Sequence, residues 1–328
     1  MKAAWYETQG APHDVLVVGD MPDPQPGAGE VRIRIAASGI NPGDLKKRED
    51  AFGIGMSYPR VIPHSDGAGV IDAVGEGVSR DRIGERVWCH GAQSYRPFGT
   101  AAEFTVVPAH HAIRLPDDVG FEQGACLGIP GITAHRAVHA GGPVVDQTVL
   151  VQGGAGSVGS FAVGLARRAG ARVIATVRST VDEEVAANAG AHHVVRMDGR
   201  PAWQIVADIR RYAPEGVHHV VEVAFGANID LDMNVIAVGG SIAAYATDDP
   251  RPSIPFWDLL FKNARLLLLG SDDFPAAAKL EAAAAVTDLV ASGWRGLAID
   301  KTFALSDIAE AHSYAERKRA PGRVVLTV

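Results

Sequence analysis

The 328-residue sequence predicts an α/β protein: a doubly wound parallel sheet inserted into a second, mainly β domain. Three observations carry this. Twelve of the 19 prolines precede residue 144, and none lies between Val144 and Arg200. Proline removes a backbone donor and fixes φ, so the early part reads as short strands and turns. From about Gly142 the pattern changes to alternating strand and helix, the signature of a parallel sheet. The tail, ending in RVVLTV, returns to the style of the first third. The expected boundaries are residues 1–125 for the first part of the mainly β domain, 126–268 for the inserted domain, and 269–328 for the second part.

Each element has its own local reason. VRIRIAA (Val31–Ala37) alternates apolar and basic residues, as a half-exposed strand does. GVIDAVGEGV (Gly69–Val78) and EFTVVP (Glu103–Pro108) are further short strands between glycine or proline breaks. TVLVQ (Thr148–Gln152) suits a strand buried on both faces. Val158, Phe161, Ala162, Leu165 and Ala166 then recur at helical spacing, with Gly170 placed as a C-cap. RVIATV (Arg172–Val177) is the next strand, Asp182–Ala189 a helix, and His193–Val195 a strand. Pro201 is expected at the first position of a helix. HHVVEV, GGSIAAYA and ARLLLLG complete six strands. Pro275–Ser292 reads as a helix stopped by Gly293, and Ser306 as the cap of another.

Composition sets limits on function. The 37 glycines and 19 prolines total 56 of 328 residues. That is below the ~25–30% at which a chain reads as low-complexity. The net charge, 31 − 38 = −7 with histidines neutral, provides no basic footprint for nucleic acid or an anionic membrane. Two cysteines, Cys89 and Cys126, exclude a disulfide framework and a four-cysteine zinc site. No apolar run approaches the ~18 residues of a membrane span. The N-terminus meets Glu7 before a signal core develops. A cytoplasmic, soluble protein is expected.

VLVQGGAGSVG contains G-x-G-x-x-G as Gly154, Gly156 and Gly159, after a strand and opening a helix. That context makes the pattern a dinucleotide site. Gly154 is expected to allow the tight turn, Gly156 the close approach of a pyrophosphate, and Gly159 the packing of helix on strand. The helix N-terminal amides, at Ser157 and Val158, would hold the phosphates. An NAD site commonly carries Asp or Glu ~20 residues further on. Here the second strand ends in Val177, Arg178, Ser179 and Thr180. A cation with hydroxyls suits the adenosine 2′-phosphate, and the expected cofactor is NADPH.

SGINPGDLKKR, VIPHSDGAGVIDAVGEGV, GERVW, LGIPGITAHRAV and the glycine loop occur in one order. Together they resemble the zeta-crystallin-like quinone oxidoreductases, a zinc-free branch of the medium-chain dehydrogenase/reductase superfamily. The resemblance covers essentially the whole chain. It implies a GroES-like catalytic domain beside a Rossmann domain, NADPH as reductant, and a homodimer. Zinc-bearing relatives place Cys where this chain has Asn41, His at His64, and Cys near Ile129. One histidine beside Asn and Ile cannot supply the three protein ligands of a catalytic zinc, so no metal is expected. Cys89 and Cys126 then read as small buried hydrophobes. Contiguous His64-Ser65-Asp66 cannot form a hydrolytic triad, and His64 reads as lining a cleft.

The resemblance also implies site residues. Asn41 matches the family Asn at the nicotinamide–substrate cleft, its amide expected on the nicotinamide ribose or the acceptor oxygen. Asp44 matches the motif Asp, either catalytic or shaping the loop. Thr133 matches the Thr beside the nicotinamide carboxamide; Gly270 and Ser271 would approach from the other side. Lys46 stands where relatives often carry Tyr, and Arg48 is retained. These cations either stabilise a developing hydroquinone oxyanion or belong to a solvated charge run with Lys47. Met197 replaces a stacking Tyr, while Arg196 and Arg319 are further phosphate partners. The expected reaction is hydride transfer from NADPH to a small quinone. The rivals are an alkenal or enoyl reductase acting on an enone, and a non-catalytic crystallin-like or RNA-binding protein.

Overall fold

The computed structural model describes residues 1–294, 296–317 and 321–328. The chain divides into two compact units: Met1–Pro130 with Ala298–Val328, and Gly131–Leu297.

In the first unit the alternation of VRIRIAA becomes the long strand Glu30–Gly39, which buries Val31, Ile33 and Ile35. Its neighbours build a seven-stranded sheet ordered Ile299–Ala304, Arg323–Thr327, Glu30–Gly39, Asp66–Val74, Arg86–Cys89, Ala112–Arg114. Phe104–Pro108 also pairs with Glu30–Gly39, so that strand has three partners. The outward Arg32 forms a two-pronged bond to Asp72, at 2.9 and 3.0 Å, and lies over the Phe104 ring. The inner face is closed by Val31, Ile33, Ile71, Val87 and Val107, all fully buried. Helix Pro42–Glu49 follows the long strand directly.

The second unit is a six-stranded parallel sheet ordered His193–Arg196, Arg172–Val177, Thr148–Val151, Val217–Glu222, Ile236–Ala244, Arg265–Leu268. Counted from the first strand of the unit this is the order 3-2-1-4-5-6 of a Rossmann sheet. Leu150, Ile174, Val220 and Ile242 are fully buried at its centre. Local chemistry moved some boundaries. The second helix starts at Thr180 rather than Asp182, because the Ser179 hydroxyl accepts from Asp182 N at 3.2 Å and caps it. Pro201 is the N-cap of helix Ala202–Tyr212 rather than its first residue. Ser306 lies within a short 3₁₀ turn, Leu305–Asp307, ahead of helix Ile308–Arg317.

The domain boundaries differ from expectation. The chain leaves the first unit after residue 130 rather than 125, and returns at 298 rather than 269. The intervening helix Ala276–Ala291 buries Ala282, Ala283, Val286 and Leu289. It packs on helix Ser157–Arg168 of the dinucleotide unit, and beyond its end the Trp294 ring sits 4.9 Å from that of Phe161. No described helix is long and apolar enough to cross a membrane.

Leu150 occupies the middle of the innermost strand. Leu150→Ala should lower the unfolding free energy of the second unit by ~2–5 kcal/mol. Val238→Thr, at a residue 75% exposed, should change it by under about 0.5 kcal/mol. Denaturant unfolding followed by circular dichroism measures both; equal effects would contradict this assignment of the core.

Candidate functional site

All six strands of the second unit are parallel, so the residues after their ends share the carboxyl edge of the sheet. The structure thus brings the glycine loop, Arg178, Ser179, Arg196, Gly270 and Ser271 to one edge. The positive-φ turn belongs to Gly153 (φ +66°), one residue before the expected Gly154. Gly154 is constrained by packing instead: a Cβ there would lie 2.6 Å from that of Ala175. Gly156 is the N-cap of helix Ser157–Arg168. Gly159, expected to let the helix pack on the strand, lies instead against the turn, where a Cβ would be 2.1 Å from Gly153 O. The amides of Ser157 and Val158 fall in the first helical turn, where no intrahelical carbonyl is available, and this is the arrangement that binds phosphate.

Arg178 is exposed after the second strand. Ser179 uses its hydroxyl oxygen as a helix cap. Arg196 bonds Thr180 Oγ1 at 3.0 Å and pairs with Asp198 at 3.0 Å. Thr133 is buried on helix Gly128–His139. Gly270 and Ser271 begin the turn after the last strand. Arg319 lies outside the described residues. These residues fit a dinucleotide: a cradle without side chains, free helix amides, and a cation where a ribose-binding carboxylate would repel a 2′-phosphate.

The first unit holds a buried polar network. Asn41 Nδ2 donates to Asp66 Oδ2 at 2.7 Å, and its Oδ1 accepts from Arg323 Nη2 at 2.7 Å. Asp66 also accepts from Ile129 N, at 2.8 and 3.0 Å. Burial pushes the Asp66 carboxyl up to about 7, against the lowering pull of the Asn41 bond and Arg323. The Asn41 amide is therefore engaged inside its own unit, at 3% exposure, rather than offered to a ribose or acceptor. Asp44 shapes the loop: its Oδ2 accepts from Asn41 N at 2.8 Å, at the third position of helix Pro42–Glu49. Arg48, expected either to stabilise a developing oxyanion or to belong to a solvated charge run, is fully buried and bonds Gly10 O and Glu316. It ties the helix to the tail of the chain. Lys46 is half-buried on the same helix.

His64 does not line a cleft. It is fully buried, with Nδ1 2.8 Å from Ser38 Oγ and Nε2 2.9 Å from His312 Nε2. The tautomers follow from counting hydrogens. Thr100 must donate to the Asp66 carbonyl, so Ser38 donates to Thr100. His64 therefore donates from Nδ1 and accepts on Nε2 from His312. Burial, with the Arg323 charge, depresses His64 to about 3, so it is neutral at pH 7. With both nitrogens committed, and Asn41 and Ile129 where zinc-bearing relatives have cysteines, these residues do not fit a zinc ion. Cys89 and Cys126 are buried; burial raises the Cys89 thiol to about 12 and that of Cys126 above its usual range.

Sequence reasoning missed Arg323, His312 and Ser38, whose partners are distant in the chain. It also missed Gly153, although the doubled glycine of QGGAG was a visible signal.

A family model described as "Alcohol dehydrogenase GroES-like domain" matches residues 27–117, and one described as "Zinc-binding dehydrogenase" matches 157–283. Together they define the class that the fold implies, the medium-chain dehydrogenases/reductases, whose members are oxidoreductases. The quinone oxidoreductase of Rattus norvegicus is 32% identical over 236 residues, 71% of this chain and 69% of its own. That of Homo sapiens is 28% identical over 99% of this chain and 97% of its own. A mycobacterial structure solved with NADPH superposes with a TM-score of 0.86 at 29% identity, over 100% of both chains. The chain belongs to the quinone oxidoreductase family of this zinc-free type.

The raised value of Asp66 has a thermodynamic consequence. Its folded-state pKa lies above its ordinary 3.8, so the folded protein holds an extra proton between there and about 7. The stability contributed by this carboxyl is present at low pH and is lost as pH rises through that window. Asp66→Asn does not titrate. The wild-type unfolding free energy minus that of the variant should therefore fall across this window, by up to ~1.4 kcal/mol per pH unit. Denaturation series at stepped pH measure the difference, and a rising one would contradict the burial argument.

Proposed function

We propose that this chain is an NADPH-dependent quinone reductase. The observation that carries the proposal is the meeting, at one sheet edge, of a phosphate-binding helix start with a cation in place of the ribose-binding carboxylate. Bound there, NADPH supplies a hydride. The amides of Ser157 and Val158 hold the diphosphate, and Gly154, Gly156 and Gly159 give it room. Arg178, with Arg196 beside it, pairs with the 2′-phosphate, and Ser179 keeps its O–H to donate to the same group. Thr133 holds the nicotinamide carboxamide, and the backbone of Gly270 and Ser271 limits where the ring lies. The mycobacterial relative solved with NADPH and the mammalian quinone oxidoreductases support this reading.

A quinone suits the catalytic unit. Two conjugated carbonyls accept a hydride without a Lewis acid, and the product is aromatic. The Asn41, Asp66 and Arg323 network fixes the loop that opens helix Pro42–Glu49. Lys46 on that helix is the cation that stabilises the developing oxyanion. A homodimer is also part of the proposal. Strand Arg265–Leu268 is at the edge of the parallel sheet, with Leu268 75% exposed, and an open apolar edge is a template for a second copy.

NADPH oxidation followed with a panel of quinones and enals tests the reaction. Turnover of quinones is expected; turnover of enals alone would overturn the substrate class. Arg178→Ala should raise KM for NADPH by about tenfold or more, the loss of one charged hydrogen-bonded pair. KM for NADH should remain within about twofold, since no 2′-phosphate is present to lose its partner. Equal losses for both would remove Arg178 from the phosphate site.

A further inference from the structure

Behind the glycine turn lie two carboxyl groups that the proposed reaction does not use. Glu222 ends strand Val217–Glu222, and Asp232 is on helix Phe225–Val235; both are fully buried. No cation forms an ion pair with either among the described residues. Asp232 Oδ1 accepts from Gln152 Nε2 at 2.7 Å, while its Oδ2 is buried and meets no N–H or O–H donor among the described residues. Glu222 is well supplied. Its Oε1 accepts from Ala224 N, and Asn228 Nδ2 lies 3.1 and 3.2 Å from its two oxygens. The carboxyl groups face each other directly. Two bare carboxylates in contact, without a cation and out of water, are untenable, so they must share a proton. It belongs on Asp232, whose otherwise orphaned Oδ2 then donates to the Glu222 carboxylate.

Hydrogen bonds connect this pair to the cofactor turn. Gly153 N donates to Thr176 Oγ1 at 3.2 Å, Thr176 donates to Gln152 Oε1 at 2.5 Å, and Gln152 donates to Asp232. Gln152 and Thr176 are fully buried. Every donor in the series points towards Glu222, so each bond polarises the next. The first donor, Gly153, holds the positive-φ turn, and its carbonyl sits against Gly159 in the first turn of the phosphate-binding helix.

We propose that Glu222 and Asp232 are a proton-sharing pair that positions the dinucleotide turn through Gln152 and Thr176. The role rests on the reading of that turn as the NADPH site. Burial, reinforced for Asp232 by the Glu222 charge, holds both carboxyl groups above their usual range, in the direction that a proton shared between them requires. The titratable group facing it is Tyr245, just past the end of the neighbouring strand Ile236–Ala244; burial and the Glu222 charge push its phenol up. The other polar side chains on the pair, Gln152, Thr176 and Asn228, are neutral. Loss of the shared proton in alkaline solution puts a second negative charge beneath the phosphate site and removes the bond that holds Asp232.

The test uses the full-length protein and two readouts. The first is the infrared carbonyl stretch of a protonated carboxyl group, recorded from neutral to alkaline pH. Beyond the contribution of the Asp66 carboxyl, which both proteins share, the wild type should show a band at neutral pH and lose it on the alkaline side; Asp232→Asn should lack this second band throughout. The second is NADPH affinity, by fluorescence titration over the same range, with KM and kcat. Asn at 232 reproduces the protonated acid, donating to Glu222 and accepting from Gln152, so its affinity should match wild type at neutral pH and lose the alkaline fall. Asp232→Leu leaves Gln152 unpaired and should raise KM for NADPH about tenfold with kcat little changed. An alkaline fall that persists in Asp232→Asn, or wild-type affinity in Asp232→Leu, would overturn the positioning role. Identical infrared bands in the wild type and Asp232→Asn would overturn the pair itself. A wild type that shows the second band yet binds no NADPH would instead overturn the reading of the site, and the role with it.

Discussion

No atom larger than hydrogen fits on the Cα of Gly159, where a Cβ would meet the Gly153 carbonyl at 2.1 Å. That contact fixes the start of helix Ser157–Arg168 against the turn that leaves the central strand, and much of the second unit depends on it. It leaves the first-turn amides at the carboxyl edge of the sheet, the one place where the ends of all six parallel strands collect. The glycine turn, Arg178, and the turn at Gly270 and Ser271 belong to one edge because the sheet is parallel and the helix begins there. The buried series from Gly153 through Thr176 and Gln152 to Asp232 holds the same turn from behind. One close approach is thus supported from two sides.

The first unit relies on a different constraint, the satisfaction of buried polar groups. Removing the zinc ligands of related dehydrogenases leaves Asn41, His64 and Asp66 in a space that cannot be left polar and unpaired. Arg323 fills the charge requirement, and Ser38, Thr100 and His312 complete the hydrogen bonding. The outcome is a set of neutral histidines and a carboxyl held near neutrality beside one guanidinium, which orders the loop without a metal.

Much of the fold was legible because periodicity reports burial directly. The alternation of Val31, Ile33 and Ile35, and the helical spacing of Phe161, Ala162 and Leu165, both mark faces that the structure buries. The helix 276–291 was legible as a helix but not in its allegiance. Its alanine-rich sequence does not specify which sheet it covers, and it joined the dinucleotide unit. The site was legible where the chemistry is local, as in the glycine loop and Arg178. It was hidden where the partners are remote: Asn41 meets Asp66 and Arg323, respectively 25 and 282 positions away. Arg48 read as a solvated or catalytic cation because nothing near it in the sequence announces Glu316. The turn fell at Gly153 because the three-glycine pattern does not specify which residue takes the left-handed conformation.

The close approach of Gly159 to Gly153 is tested most directly by NADPH titration of Gly159→Ala, with the far-ultraviolet circular dichroism of the protein recorded alongside. Gly159→Ala should retain the wild-type spectrum and weaken NADPH binding by at least about tenfold, because a displaced helix start withdraws its amides from the diphosphate. Undiminished NADPH affinity in a folded variant would contradict the account.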